Sequence, residues 1–302
     1  MDRVLEQIGA DQITQTGKGI CVAVLDTGVS VHPDLKGRIK YFKDFVRKRE
    51  HMYDDNSHGT HICGILCGSG AMSRGMIRGI APETEIVMCK ILNEKGDGCA
   101  EDMLEALLFV DQYKNALGIR ILNISVGIGE LKDQTTVYKL QKAVEKLWEE
   151  GMIVVCAAGN KGPADGSISA VCNSTKVITV GCHDGEYYKG EQDRCEIYSG
   201  RGERFAPVRK PDLVAPGTKI YSCNGKWSER IRKNEQFYEM KTGTSMATPI
   251  VSGSIALLLE KEPWLSPDQV KERVLFSATD LGEDWNKQGW GMINTKRLLD
   301  TY

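Results

Sequence analysis

The stretch K-T-G-T-S-M-A-T-P-I-V-S-G-S-I-A-L-L-L, Lys241–Leu259, carries two signals at once. Small residues through Thr244 and Ser245 make a tight turn, and the apolar run from Ile250 to Leu259 reads as a buried helix. Ser245 therefore falls at or near a helix N-terminus, where free amides and the positive end of the dipole favour developing negative charge. Pro249 lacks the amide that would bond back to the Ser245 carbonyl, which predicts an unusual backbone around the serine. Taken alone, the stretch also reads as an ordinary helix cap by Thr244 or Ser245. The residues around it decide.

Upstream, apolar strands are expected at Ile20–Leu25, Glu85–Leu92, Arg120–Val126, Met152–Ala157 and Lys176–Cys182. Between them fall helical segments from His58 to Gly68, Ala100–Leu117 and Thr135–Glu150; in the last, Val137, Leu140, Val144 and Leu147 share a face. Two short strand candidates, Lys219–Cys223 and Phe237–Lys241, precede the Ser245 helix, and Ser266-Pro267 caps a later one. Residues 29–57 read as polar and irregular, and Arg201–Gly217 as punctuated by Gly and Pro. This alternation predicts an α/β fold: a three-layer, doubly wound, mostly parallel sheet with helices on both faces. No repeat or composition break divides it, so one domain is expected over 1–302. In such sheets functional groups gather beyond the C-terminal ends of the strands, where Asp26, Ser125 and Asn160 all fall.

The 302 residues carry a formal charge of -2, which leaves no electrostatic footprint for nucleic acid. The start, M-D-R-V-L-E-Q-I-G-A-D-Q, has no apolar core with a cleavage site and is not read as a signal peptide. No run reaches the ~18 apolar residues of a membrane span. Ten cysteines are present. Cys21, Cys89, Cys156 and Cys182 lie in strand-like runs, where cysteine behaves as a small hydrophobe, and free thiols in a reducing cytoplasm are expected. A chain whose leader had been removed would be secreted and look the same.

Three residues then converge on one chemistry. A serine hydroxyl is a poor nucleophile until a base takes its proton, histidine suits that task near neutral pH, and an aspartate can fix the imidazole tautomer. Ser245, His58 and Asp26 supply these types, and Asn160 can donate to an oxyanion beside the Ser245 amide. Singly, each has a plainer reading: turn former, loop histidine or helix cap. Their order and their small neighbours, V-L-D-T-G-V at Val24–Val29, H-G-T-H at His58–His61 and G-T-S-M-A-T-P at Gly243–Pro249, resemble the subtilase family of serine proteases. N-I-S-V-G at Asn123–Gly127, A-A-G-N at Ala157–Asn160 and K-P-D-L-V-A-P-G at Lys210–Gly217 extend the match from about Gly17 to the C-terminus. The order Asp, His, Ser is the one known for subtilisin itself.

The resemblance implies a serine endopeptidase acting on peptides or unfolded proteins through an acyl-enzyme, with no cofactor required and no membrane or nucleic-acid partner. Ser245 would be nucleophile, His58 general base, Asp26 the orienting carboxylate and Asn160 the oxyanion donor. Ser125-Val126-Gly127 and Gly96-Asp97-Gly98 would form two edges that pair with an extended substrate, as glycines permit. Ala157 and Gly159 would wall a pocket for large apolar residues, Lys161 at its mouth would disfavour basic ones, and Ala100 would leave a distal subsite roomy. A fold that binds without cutting, and an esterase or transpeptidase, use the same scaffold.

The chain also departs from the family. Only 25 residues precede Asp26, so the resemblance is to a mature form or a branch lacking an inhibitory propeptide. Asp34 matches a position that binds calcium in relatives, which leaves a structural calcium ion open. The loop Gly68–Gly79, with Arg74 and Arg78, offers few of the oxygens calcium needs, so no metal site is assigned. His58-x-x-His61 with Cys63 and Cys67 fits no standard zinc spacing, and those cysteines are expected to pack. Cys99 and Cys172 are expected in loops near the cleft, as sites of oxidative inhibition.

Overall fold

A computed structural model describes residues 1–126, 133–227 and 236–300. After helix α1 (Asp2–Gln7), the chain alternates strongly between strand and helix: β1 (Cys21–Asp26), β2 (Ile39–Asp44), α2 (His58–Cys67), β3 (Glu85–Lys90), α3 (Ala100–Leu117) and β4 (Ile119–Ile124). It continues through α4 (Gln134–Glu149), β5 (Ile153–Ala157), β6 (Ile178–Cys182), β7 (Leu213–Ala215), β8 (Ile220–Cys223) and β9 (Tyr238–Lys241). Four helices close the chain: α5 (Thr244–Lys261), α6 (Pro267–Ser277), α7 (Trp285–Gln288) and α8 (Thr295–Asp300).

Seven strands form one parallel sheet in the order β2-β3-β1-β4-β5-β6-β7, while β8 and β9 pair antiparallel outside it. α2 packs on α5 and α3 on α4, giving the three-layer α/β arrangement expected from the alternation. The strands β1, β4, β5 and β6 are buried along nearly their whole lengths, as parallel strands covered on both faces must be. Strand order reverses beside β1, so β3 lies on one side of it and β4 on the other. A crevice opens at such a reversal, beyond the carboxyl ends of the strands.

Helix α5 is buried on all sides from Met246 to Leu259, which explains an apolar run without a polar stripe. Gly253 lets it approach closely: a Cβ there would lie 2.6 Å from the Ile80 Cβ. Ser252 donates to Asn123 on β4 at 2.8 Å, and Asn123 donates to Ser125 at 2.8 Å, so the helix is tied to the strand end it crosses. The helix runs unbroken through Pro249, contrary to the unusual backbone expected there. Pro249 stands in the second turn, where its missing amide costs only one helical bond.

Two strands were not legible. β2, I-K-Y-F-K-D, lies in the stretch read as irregular; it is an edge strand whose lysines face solvent, and charge on edges hides them from an apolar search. β7 has three residues, set between glycines and prolines. The expectation of free thiols is overturned at one pair. Cys182 at the end of β6 forms a disulfide with Cys195, Cα atoms 5.8 Å apart, while eight cysteines remain free. Cys195 belongs to an irregular segment whose return to the sheet no periodicity announces. No helix among the described residues is long and apolar enough to cross a membrane.

Candidate active site

β1 delivers Asp26 to the sheet's carboxyl edge, fully buried. Its Oδ1 accepts the Thr27 amide at 2.7 Å and lies 2.7 Å from His58 Nδ1, leaving Oδ2 buried without a partner among the described residues. His58 opens α2, and a second carboxylate fixes that helix end. Asp54 Oδ1 accepts the Ser57 amide at 2.8 Å and the Thr27 hydroxyl at 2.9 Å. Its Oδ2 accepts the Thr60 amide at 2.9 Å and the Thr60 hydroxyl at 2.6 Å. Thr27 Oγ1 in turn accepts the Gly59 amide at 2.8 Å. Two orphan donors of a helix N-terminus and the residue after Asp26 therefore share one anchor. Ser57 stands in the left-handed region at φ 87°, held by a hydroxyl that donates to Glu239 and accepts the Gly225 amide at 2.6 Å. Gly59 fits close under Gly28, whose carbonyl a Cβ would meet at 2.1 Å.

Burial pulls the His58 imidazole down, but the Asp26 charge and its hydrogen bond outweigh this, and the net shift is upward from 6.5. Two consequences follow with opposite signs. A raised folded-state pKa contributes stability that is fully present below the unfolded value and is lost as pH rises through the folded one. A histidine acting as base needs the neutral form, so activity is gained over the same window. We expect the acidic limb of kcat/KM to lie above 6.5, with thermal stability from this group declining across it; a limb below 6.5 would contradict the assignment.

Ser245 is the second residue of α5, half-buried, after an N-cap at Gly243. Among the described residues its hydroxyl makes no hydrogen bond. Asn160 lies three residues beyond β5. Its Oδ1 accepts the Thr244 amide at 3.1 Å and the Thr244 hydroxyl at 3.0 Å, leaving Nδ2 to donate elsewhere. Gly243 permits this approach, since a Cβ there would lie 3.3 Å from Asn160 Nδ2. Ser245 and Asn160 open onto a cavity of about 480 Å³ whose walls include Ser125, Val126, Ala157 and Gly159.

A family model described as the subtilase family matches residues 17–291. The chain belongs to the subtilase family. It is 41% identical over 299 residues to the serine protease AprX of Bacillus subtilis (strain 168), covering 95% of this chain and 67% of AprX. It is 31% identical over 282 residues to subtilisin Savinase of Lederbergia lenta, covering 93% of this chain and 91% of that one. Among solved structures, sphericase superposes with a TM-score of 0.79 at 27% identity, over 96% of both chains. The protein is thus a subtilisin-like serine protease.

Within this subtilase, two groups of expected residues meet: Asp26 with His58 by a hydrogen bond, and Ser245, Asn160, Ser125, Val126, Ala157 and Gly159 around one cavity. Lys161 lines the same cavity. Gly96, Asp97 and Gly98 do not line it. They form a turn closed by the Asn93 amide on the Asp97 carbonyl at 2.9 Å, and Gly98 is small because a Cβ would meet Leu92 at 2.4 Å. Gly127 lies outside the described residues. Cys172 borders the cavity although only 1% exposed, and Cys99 is an exposed cap of α3. Cys63 and Cys67 are buried within α2, and His61 Nε2 faces the Ile220 and Glu239 carbonyls at 3.1 and 3.2 Å. Burial drives His61 down to about 3, so it stays neutral beside His58.

The donors near Asp34 do not suit calcium. Oδ1 accepts the Met72 amide at 3.0 Å, Oδ2 accepts the Tyr238 hydroxyl at 2.6 Å, and the ligating side chains gathered with Asp34 are His32 and Cys223, types calcium does not favour. Sequence reading gave no role to Asp54, Asn123 or Lys90. The last is fully buried, donating to the Thr27 and Leu92 carbonyls at 2.5 and 2.8 Å and to Asp55 at 2.8 Å, so it backs the Asp26 turn. A signal existed for Asp54, an acid four residues ahead of a helix start; none existed for a lysine ending an apolar strand.

Proposed function

We propose that this subtilase is an endopeptidase in which Ser245 attacks the scissile carbonyl carbon while His58 Nε2 takes the hydroxyl proton. The observation that carries the reading is the 2.7 Å contact of His58 Nδ1 with Asp26 Oδ1, which leaves Nε2 as the ring's acceptor. Asn160 Nδ2 and the Ser245 amide would receive the oxyanion, both preset by Thr244 and the α5 N-terminus. His58 would then return its proton to the leaving amine, and water would repeat the sequence on the acyl-enzyme. Extended substrate would pair along Ser125-Val126-Gly127 on one side, with Gly96-Asp97-Gly98 as the opposite edge.

The cavity beside Ser245 has room for a large side chain, and Met103, Ile124, Ile168 and Val171 make its depth apolar. Burying a leucine or phenylalanine there rather than alanine contributes roughly 1.5–3 kcal/mol. In peptides matched elsewhere, kcat/KM is therefore expected to be about 10- to 100-fold higher after Phe or Leu than after Ala. Lys161 lies among the lining residues, so cleavage after Glu should exceed cleavage after Lys. Equal rates for Phe, Ala, Glu and Lys would remove the pocket from the mechanism. Cleavage confined to chain ends would replace an endopeptidase with an exopeptidase.

A further inference from the structure

The oxyanion donor is held from two sides. Thr244 fixes the Asn160 side chain, but the backbone on either side of Asn160 is fixed by another segment. The Gly200 amide donates to the Gly159 carbonyl at 2.7 Å, and the Gly162 amide donates to the Tyr198 carbonyl at 3.0 Å. The fit is tight, since a Cβ on Gly162 would lie 2.0 Å from the Ser199 carbonyl oxygen. This segment has little regular structure of its own: one 3-10 turn at Cys195–Ile197 and a Ser199 amide bonded to the Cys195 carbonyl at 2.8 Å. Its covalent tie to the sheet is the Cys182–Cys195 disulfide, reinforced where the Cys182 amide donates to Ser199 Oγ at 2.9 Å.

The same two sulfurs press on the other half of the oxyanion site. A Cβ on Gly217 would lie 2.7 Å from Cys182 Sγ, 3.3 Å from Cys195 Sγ and 2.6 Å from the Gly243 carbonyl oxygen. The Gly217 carbonyl accepts the Gly243 amide at 3.0 Å, and Gly243 is the N-cap behind Ser245. One covalent bond thus touches both supports of the oxyanion site: the strap behind Asn160 and the turn behind Ser245.

We propose that Cys182 and Cys195 are positioning residues for Asn160, so that hydrolysis in this subtilase depends on their oxidation state. Resting on the Ser245–Asn160 reading above, this assigns the disulfide a role in turnover rather than in substrate binding. One dithiol molecule supplies two electrons and two protons, converting the Cys182–Cys195 bond to two thiols while closing to its own disulfide. The strap then keeps only its noncovalent contacts, and Asn160 loses its register with the oxyanion. Small displacements of this kind are costly, since preorganised donors act only at the position where charge develops.

The test is a double-mutant cycle on the intact chain, read as kcat and KM for a soluble peptide. C182S/C195S should lower kcat about tenfold with KM within about twofold, a fraction of what full loss of an oxyanion donor costs. In an Asn160→Ala background the same pair of substitutions should cost nothing further, because groups acting through one another are not additive. An additive loss, or a change confined to KM or to Tm, overturns the proposal. Should the serine variant fail to fold, the cycle is run on parent and Asn160→Ala proteins incubated with dithiothreitol and then reoxidised, where a reversible kcat loss in the parent alone is expected. Alkylation in denaturant before reduction should modify eight cysteines of the ten. Ten modified, with or without a metal ion co-purifying on Cys182, Asp184 and Cys195, overturns it. A parent without peptidase activity would instead refute the underlying functional reading.

Discussion

Ser245→Ala abolishes turnover: kcat should fall by about 10⁶-fold, the loss that subtilisin itself shows when its nucleophile is removed. The substitution deletes one oxygen and leaves the cavity, Asn160 and the α5 N-terminus in place, so KM should change little. Stability should hold or rise slightly. Among the described residues the Ser245 hydroxyl makes no hydrogen bond that alanine would forfeit, and alanine is the better helix former. The check is a fluorophosphonate probe followed by intact mass. The parent should take a single adduct and the variant none, with equal thermal melting. An adduct that persists in the variant would move the nucleophile elsewhere. Absence of an adduct from folded parent would favour a scaffold that binds without cutting.

That experiment tests the part of the site most legible in the sequence. Asp26 ends a strand, Asn160 follows one closely, and His58 and Ser245 open helices; those boundaries are written locally, in glycines, caps and changes of period. The parallel sheet was legible for the same reason, because strands buried on both faces are continuous apolar runs. What escaped was the support. Lys90 ends an apolar strand, and only the folded chain shows its ammonium under the Thr27 carbonyl. Asn123 reads as one polar residue in β4, yet it joins Ser125 to Ser252 of α5, 129 residues beyond Asn123. Cys195 reads as a lone thiol until the strap returns it to β6. These partners are fixed by topology, and no local pattern encodes them.

The edge glycines mark a different limit. Gly96 and Gly98 are read as permitting a substrate strand to approach; within the fold Gly98 is also kept small by Ile91 and Leu92 of the same chain. A glycine shows that something comes close; its sequence context does not say whether that neighbour is substrate or self. Ser125 and Val126 differ, because they border the cavity itself.

Asp26→Asn should lower kcat by about 10⁴-fold, the scale known for converting a triad aspartate to its amide. Among the described residues both donors that face Asp26, the Thr27 amide and His58 Nδ1, converge on Oδ1, and Oδ2 is buried with no partner. An asparagine can satisfy only part of this arrangement. With its oxygen kept at the Oδ1 position, His58 retains the useful tautomer, but the new NH₂ is buried unpaired, at a cost of about 1–3 kcal/mol. With the amide turned round, NH₂ opposes the Thr27 amide and demands a lone pair from His58 Nδ1. The ring proton then moves to Nε2, where it blocks acceptance from Ser245. Either way the carboxylate charge is lost; burial, the strongest influence on the ring, then pulls His58 downward with the Asp26 attraction no longer opposing it. The residual activity should therefore show its acidic limb displaced to lower pH than the parent, measurable as kcat/KM against pH at constant ionic strength. A 10⁴-fold loss with an unmoved limb would mean that the limb reports another group, and that the Asp26–His58 contact aligns the ring without setting its charge.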